Sequence, residues 1–154
     1  MGTHGFYMTS ASLPPHETGI IAALDSPRMH LLKRKGRILL LDDDLAMQRL
    51  ISVLLGRHGY RVDTVASGAQ AIEKITQAGY AAMLLDLMTP TEGGLTVIKH
   101  LKNVSPATLE RVILVTASPA SVLKTVEGHV AAIVQKPFGA QELLDTVAKV
   151  VGRS

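Results

Sequence analysis

The sequence predicts a doubly wound α/β domain. Between residues 37 and 154, five short segments with the character of strands alternate with five segments in which apolar residues recur at helical spacing. Unbroken apolar runs are typical of strands buried on both faces of a parallel sheet. Strands that alternate with helices are typical of βαβ units, which place helices on both faces of that sheet.

The first half of this region begins with an apolar run, Ile38–Leu41, which is predicted as a buried strand. Apolar residues at helical spacing then predict a helix that stops at Gly59. The segment Tyr60–Val65 alternates and is rich in β-branched residues, which predicts a strand nearer one edge. Ser67 and Gln70 form the capping-box pattern that opens a second helix.

The second half continues the same alternation and ends in an amphipathic helix. Pro119 fits the first turn of a short helix in this half. The predicted elements are a strand over Ala81–Leu85, a helix carrying Leu95 to Leu101, a strand over Val112–Val115, a short helix over Ala120–Val126, a strand over Ala131–Val134 and a helix carrying Leu143 to Val151.

Residues 1–36 differ from the rest of the chain, because they hold a proline pair and a basic cluster and sustain no apolar period. We predict a flexible N-terminal extension over 1–36 and one folded domain over 37–154. A native extension and a vector-derived start both stay open at this point.

The composition of the 154 residues, 47% apolar and 19% charged, is that of a folded soluble protein. The absence of cysteine excludes disulfides, thiolate catalysis and cysteine-type zinc sites. Residues 1–36 hold four basic and two acidic residues, and residues 37–154 hold 12 basic and 11 acidic residues. Because the predicted domain is close to neutral, the basic excess of the chain gives little support for nucleic-acid binding. The apolar runs are too short to span a bilayer, and no signal peptide is recognisable, so we expect a cytoplasmic protein without membrane contact.

Polar residues follow four of the predicted strands at their carboxyl ends, where open α/β sheets bind ligands. The first strand ends in Asp42, Asp43 and Asp44, and the third, fourth and fifth end in Asp86, Thr116 and Lys136. Each residue also has an ordinary explanation, as a helix cap, a loop carboxylate, a buried hydroxyl or a solvated lysine. Their joint alignment at one sheet edge favours a functional site.

Carboxylates that converge repel one another unless a positive charge neutralises them. An all-oxygen acidic site suits a hard cation, and Mg²⁺ is the cofactor we expect. A metal, a nucleophilic carboxylate, a hydroxyl and an ammonium are the parts that stabilise a transferring phosphoryl group. Attack by the carboxylate on phosphorus would give an acyl phosphate.

Five motifs in order resemble those of the receiver domains of bacterial two-component response regulators. The resemblance covers residues 37–152 and none of the extension. The motifs are Ile38-Leu39-Leu40-Leu41-Asp42-Asp43-Asp44, Leu84-Leu85-Asp86-Leu87-Met88-Thr89-Pro90, Gly94-Leu95, Val115-Thr116-Ala117 and Val134-Gln135-Lys136-Pro137-Phe138. The resemblance implies a flavodoxin-like five-stranded sheet of order 2-1-3-4-5 with five flanking helices.

The resemblance also implies a role for each residue of the site. Asp86 would accept a phosphoryl group from the phosphohistidine of a sensor histidine kinase or a histidine phosphotransfer protein. Thr116 would swing toward that group, and Lys136, joined to Pro137 by a cis peptide bond, would pair with it.

The resemblance assigns the metal to the acidic pair and to one backbone oxygen. Asp43 would bind Mg²⁺ directly and Asp42 mostly through water, beside Asp86 and the backbone carbonyl of Met88. We assign Asp44 to the start of the first helix, where a carboxylate meets the helix dipole.

Three departures from the family pattern affect what we expect. Ile133 stands where the family usually has an aromatic switch residue, so signalling would rely on Thr116 movement and helix repacking. Met88 and Ser118 are expected to flank the approach of the attacking water, and Met88 cannot orient it, which predicts a fairly long-lived acyl phosphate. The short segment between Thr116 and Lys136 leaves the mode of partner binding open, including a homodimer.

We expect a stand-alone phosphoacceptor that is not an enzyme in the usual sense. It would signal by contact with a downstream protein, which the sequence does not identify, and would not bind DNA itself. Three alternatives stay open. The first is a receiver excised from a longer regulator or hybrid kinase, and the second is a pseudo-receiver scaffold that is never phosphorylated. The third, a metal-dependent phosphatase, would need an aspartate two residues after Asp86, where Met88 stands.

Overall fold

The computed structural model describes residues 34–90 and 92–153. We expect an N-terminal extension over residues 1–36, and the first 33 of these lie outside the described residues. The first strand begins at Gly36, one residue before the boundary expected at 37.

The described residues form five strands, five α-helices and one 3₁₀ helix, in the alternation that the sequence predicts. The strands are β1 (Gly36–Leu41), β2 (Tyr60–Val65), β3 (Ala82–Leu85), β4 (Val112–Thr116) and β5 (Ala132–Gln135). The helices are α1 (Leu45–Arg57), α2 (Gly68–Gln77), α3 (Gly94–Val104), α4 (Ala120–Leu123) and α5 (Ala140–Val151), with the 3₁₀ helix over Pro106–Arg111.

The five strands form one parallel sheet in the order β2-β1-β3-β4-β5, as expected from the resemblance. Alternating residues of β1 enter two separate cores, because side chains of a strand point to opposite faces. Leu39 and Leu41 pack with α2 and α3, and Ile38 and Leu40 pack with α1 and α5. The continuous apolar runs seen in the sequence therefore reflect strands covered on both faces.

The fourth helix is shorter than the predicted span Ala120–Val126, since α4 ends at Leu123. Beyond it, the backbone N–H groups of Thr125 and Val126 bond three residues back, and the Thr125 hydroxyl donates to the carbonyl of Val122. Side chains that bond nearby carbonyls compete with the helical ladder. Pro119 is the N-cap and not the first helical residue.

The predicted cap of α2 is present in a modified form. Ser67 Oγ accepts the backbone N–H of Gln70, as a capping box requires. The Gln70 side chain, however, accepts the backbone N–H of Ala66 and not that of Ser67. Each side chain still satisfies one backbone donor at the start of the helix.

Gly94 allows α3 to begin directly beneath the end of β3. Its backbone N–H donates to the carbonyl of Asp86 at 2.7 Å. A Cβ at this position would lie 2.6 Å from that carbonyl oxygen and 3.0 Å from the Cβ of Leu85, closer than carbon atoms pack. The residue that follows β3 is therefore held in place by a contact that only glycine permits.

A charged cluster joins β1, β2 and the segment before β3. Arg37 contacts the carboxylate of Asp63 at 2.6 Å, and Tyr80 donates its hydroxyl to the same oxygen at 2.8 Å. Burial alone would raise the pKa of Asp63, but the bonds from Tyr80 and Arg37 outweigh it and lower that pKa. Burial and the same bond raise the pKa of Tyr80 to about 12.

Gly94→Ala should lower the free energy of unfolding by about 1–3 kcal/mol, because the added methyl group overpacks the end of β3. The matched control is Gly79→Ala, where an added Cβ meets nothing within 4 Å. The control should leave the free energy of unfolding unchanged or raise it by up to about 1 kcal/mol. Urea unfolding of both variants measures this, and equal stability would contradict the close approach.

Asp63→Asn should reduce the free energy of unfolding by about 2 kcal/mol at neutral pH, since it removes the charge that Arg37 and Tyr80 contact. A lowered carboxyl pKa stabilises the fold above the ordinary value of 3.8, and that stabilisation is lost as the pH falls through the lowered pKa. The deficit should therefore shrink below about pH 4. Urea unfolding across pH tests this against the exposed control Asp145→Asn, and a deficit that stays constant with pH would contradict it.

Candidate functional site

The carboxyl edge of the sheet brings together side chains that are far apart in the sequence. Parallel strands all end at the same edge, so residues that follow β1, β3, β4 and β5 become neighbours there. Five of the residues predicted from the sequence converge at this edge through their side chains. They are Asp42, Asp43, Asp86, Thr116 and Lys136.

Asp42, Asp43 and Asp86 form an acidic cluster. One carboxylate oxygen from each residue lies within 4.8 Å of those of the other two. Asp42 is buried at 1% exposure, Asp86 is half-buried and Asp43 is exposed to solvent. This set of oxygen donors has the composition and the spacing that a hard divalent cation requires.

Lys136 is the cation that the described residues place against this cluster. Its Nζ lies 2.7 Å from Asp42 Oδ2 and 3.2 Å from Asp86 Oδ2. Burial alone would lower the pKa of Lys136, but the bond to Asp42 and the charges of Asp86 and Asp42 outweigh it and raise that pKa. The ammonium therefore stays charged and offsets part of the repulsion between the carboxylates. The peptide bond between Lys136 and Pro137 is cis, as expected.

Asp86 is contacted on its other oxygen by neutral donors. The hydroxyl of Thr116 donates to Asp86 Oδ1 at 2.8 Å, and the backbone N–H of Met88 donates to the same oxygen at 3.3 Å. Thr116 is buried at 1% exposure, whereas the Met88 side chain is 63% exposed. The carboxylate thus has a hydroxyl and an N–H on one side and an ammonium on the other.

A cleft of about 250 Å³ opens over this carboxylate. It is lined by Asp86, Met88, Thr116, Ala117, Ser118 and Pro119. A negatively charged group that enters the cleft would meet the Thr116 hydroxyl, and hydrogen-bond donors of this kind stabilise oxyanions.

Asp44 has the role in helix capping that the sequence suggested. It is the N-cap of α1, and its Oδ1 accepts the backbone N–H groups of Ala46 and Met47 at 2.9 and 3.2 Å. The third aspartate of the run is thus engaged by the helix and stands outside the acidic cluster.

Two contacts at the site were not anticipated. The Gln48 amide donates to the carbonyls of Asp42 and Val65, which fixes the ends of β1 and β2 relative to α1. Ser118 is buried and bonded to Thr116, a contact that the sequence did not indicate, and it also lines the cleft over Asp86. The sequence offers one indication of the Gln48 contact, because Gln48 lies one helical turn after the Asp44 cap.

The comparisons with known proteins agree with this arrangement. The family model described as the response regulator receiver domain matches residues 38–148. The "Transcriptional regulatory protein CpxR homolog" of Haemophilus influenzae is 30% identical over 120 residues, which are 77% of this chain and 51% of that protein. The chain spans about half the length of the curated relatives it matches.

Two solved structures share the fold over most of this chain. The first is the receiver domain of a sensor histidine kinase of Pseudomonas aeruginosa, described with a magnesium ion in the active-site cleft. It is 26% identical to this chain with a TM-score of 0.69, and the match covers 76% of this chain and 98% of that domain. The second is the response regulator TrrA of Thermotoga maritima, described in complex with Mg²⁺ and BeF. It is 28% identical with a TM-score of 0.66, and the match covers 74% of this chain and 97% of TrrA in that structure. The sheet order, the convergent strand ends and the family match agree, and this chain belongs to the response regulator receiver domains of two-component signal transduction.

Proposed function

We propose that Asp86 accepts a phosphoryl group from a phosphohistidine, with Mg²⁺ bound at the acidic cluster. The observation that carries this proposal is the surroundings of one carboxylate. Asp86 lies within reach of two further carboxylates, of the Thr116 hydroxyl at 2.8 Å and of the Lys136 ammonium at 3.2 Å. These are the groups that phosphoryl transfer to a carboxylate requires.

In the reaction, a carboxylate oxygen of Asp86 forms a bond to phosphorus as the phosphorus–nitrogen bond to the donor imidazole breaks. The leaving nitrogen takes up a proton from solvent, and the product is an acyl phosphate. Lys136 and the Thr116 hydroxyl can then donate to the oxygens of the phosphoryl group, where charge accumulates. The chain catalyses only its own phosphorylation and dephosphorylation in this proposal.

Magnesium fits the donor set of the acidic cluster. Asp42, Asp43 and Asp86 would hold it, and the backbone carbonyl of Met88 is a further candidate ligand. When bound, the metal neutralises charge on the phosphoryl oxygens. Lys136 already contacts Asp42 and Asp86, so the ammonium and the metal would together offset the three negative charges of the cluster.

A protein donor is supported by the surface beside the site. Helix α1 begins next to the acidic cluster and exposes Leu45, Leu50 and Val53 by 75, 57 and 47%. Together with Thr64 these side chains line a groove of about 940 Å³. Clustered exposed apolar side chains are typical of protein contacts, which favours a sensor histidine kinase or a histidine phosphotransfer protein as the donor.

Within residues 34–90 and 92–153, none of the helices combines the length and the apolar character needed to cross a bilayer.

Asp86→Asn should abolish phosphorylation, since the uncharged amide oxygen is a poor nucleophile compared with a carboxylate oxygen. Incubation with acetyl phosphate and Mg²⁺, followed by intact-mass measurement, should show one added phosphoryl group on the wild type and none on D86N. The matched control is Asp44→Asn, because this neighbouring carboxylate caps α1 and asparagine caps equally well. D44N should gain the phosphoryl group, and chelation of the metal should prevent the gain. Modification of both wild type and D86N, or of neither, would overturn the proposal.

The acyl phosphate should persist once the donor is removed, because the exposed Met88 side chain offers no hydrogen bond to orient water. Met88→Asn should shorten its half-life by about three- to tenfold, the factor that one added hydrogen bond supplies. The matched control is Val104→Asn, which alters an equally exposed apolar residue at the end of α3, at 62% against 63%. The half-life is measured for the wild type and both variants from the loss of the phosphorylated intact mass with time. A wild-type half-life of seconds would contradict the prediction, as would equal shortening in both variants.

A further inference from the structure

Thr116 is hydrogen-bonded to one neighbour, Ser118, in addition to the bond that it gives to Asp86. The Oγ1 atom of Thr116 accepts the backbone N–H of Ser118 at 3.2 Å and lies 3.0 Å from Ser118 Oγ. Both residues are buried, at 1% and 4% exposure. Little of either residue is therefore open to water that could replace these bonds.

The direction of each bond follows from counting hydrogens. A threonine hydroxyl carries one hydrogen and two lone pairs, and an ionised carboxylate only accepts. The hydrogen of Thr116 must therefore go to Asp86, which leaves its oxygen as acceptor toward Ser118. Ser118 then donates twice, from its backbone N–H and from its own hydroxyl. The Thr116 hydroxyl is saturated, with one hydrogen given and two accepted.

The backbone on both sides keeps Ser118 in place. The Thr116 carbonyl accepts the backbone N–H of Lys136 at 3.0 Å, which ties the end of β4 to β5. Pro119 follows as the N-cap of α4 and has no N–H of its own. Ser118 is thus fixed between a paired strand end and the start of a helix.

We propose that Ser118 is a positioning residue, which holds the Thr116 hydroxyl toward Asp86 before any phosphoryl group arrives. This inference rests on the proposed phosphorylation of Asp86. Once Asp86 is modified, Thr116 can redirect its one hydrogen to a phosphoryl oxygen while both bonds from Ser118 persist.

The first measurement is made on the free protein and does not depend on phosphorylation. Three-bond scalar couplings from the Thr116 methyl carbon to the backbone nitrogen and carbonyl carbon report the side-chain rotamer. The wild type should show one rotamer, and Ser118→Ala should show averaging over several. Ser118→Thr keeps the donating hydroxyl, has the cleft of about 250 Å³ beside it for the extra methyl, and should restore the single rotamer.

The second measurement is the rate of phosphorylation by acetyl phosphate at saturating Mg²⁺. S118A should be slower by about three- to tenfold, the factor expected for one neutral hydrogen bond. Its Mg²⁺ dissociation constant, measured by titration calorimetry, should match the wild type because the carboxylates are untouched. The matched control is Ser105→Ala, since Ser105 Oγ also bonds a threonine hydroxyl, that of Thr108 at 2.7 Å, away from the site.

The outcomes separate the two proposals. A single Thr116 rotamer in S118A, or equal slowing in S118A and S105A, would overturn the positioning role. So would averaging in S118T. If no protein is phosphorylated but S118A alone loses the single rotamer, the positioning contact stands and the proposed function fails.

Discussion

Repulsion among three carboxylates is the constraint on which the carboxyl edge of this sheet depends. Asp42, Asp43 and Asp86 place oxygens within 4.8 Å of one another, and one of the three residues is fully buried. Such charges are costly to hold together without a positive partner. Lys136 supplies that partner through two short contacts, and a divalent cation would supply the rest. Stability and chemistry at this edge therefore depend on the same electrostatic balance.

The two oxygens of Asp86 have different surroundings. Oδ2 faces the Lys136 ammonium, and Oδ1 accepts bonds from Thr116 and Met88, which are neutral donors. Thr116 is in turn bonded by Ser118, so the neutral side is fixed by a chain of hydroxyl groups. Ile133, at the position of the family's aromatic switch, is half-buried and packs against the core. The rotating aromatic ring of the family pattern therefore has no counterpart at this position.

Most of the fold could be predicted because strand and helix patterns here agree with their surroundings. The Ile38–Leu41 run is apolar because β1 is central and covered on both faces, and the site followed from parallel strands that end at one edge. The length of α4 could not be predicted, since Thr125 bonds a backbone carbonyl that a longer helix would need. The contacts of Gln48 and Ser118 depend on side-chain rotamers, and that of Gln48 also on a strand 17 residues away, which periodicity does not reveal.

The ion pair between Asp42 and Lys136 joins residues 94 positions apart in the chain. Asp42 follows the first strand and Lys136 follows the last, so the pair cannot form until the whole sheet has been synthesised and assembled. A nascent or truncated chain that lacks β5 would hold its carboxylates without their ammonium. Assembly of the charged cluster is therefore coupled to completion of the sheet, from its first strand to its last.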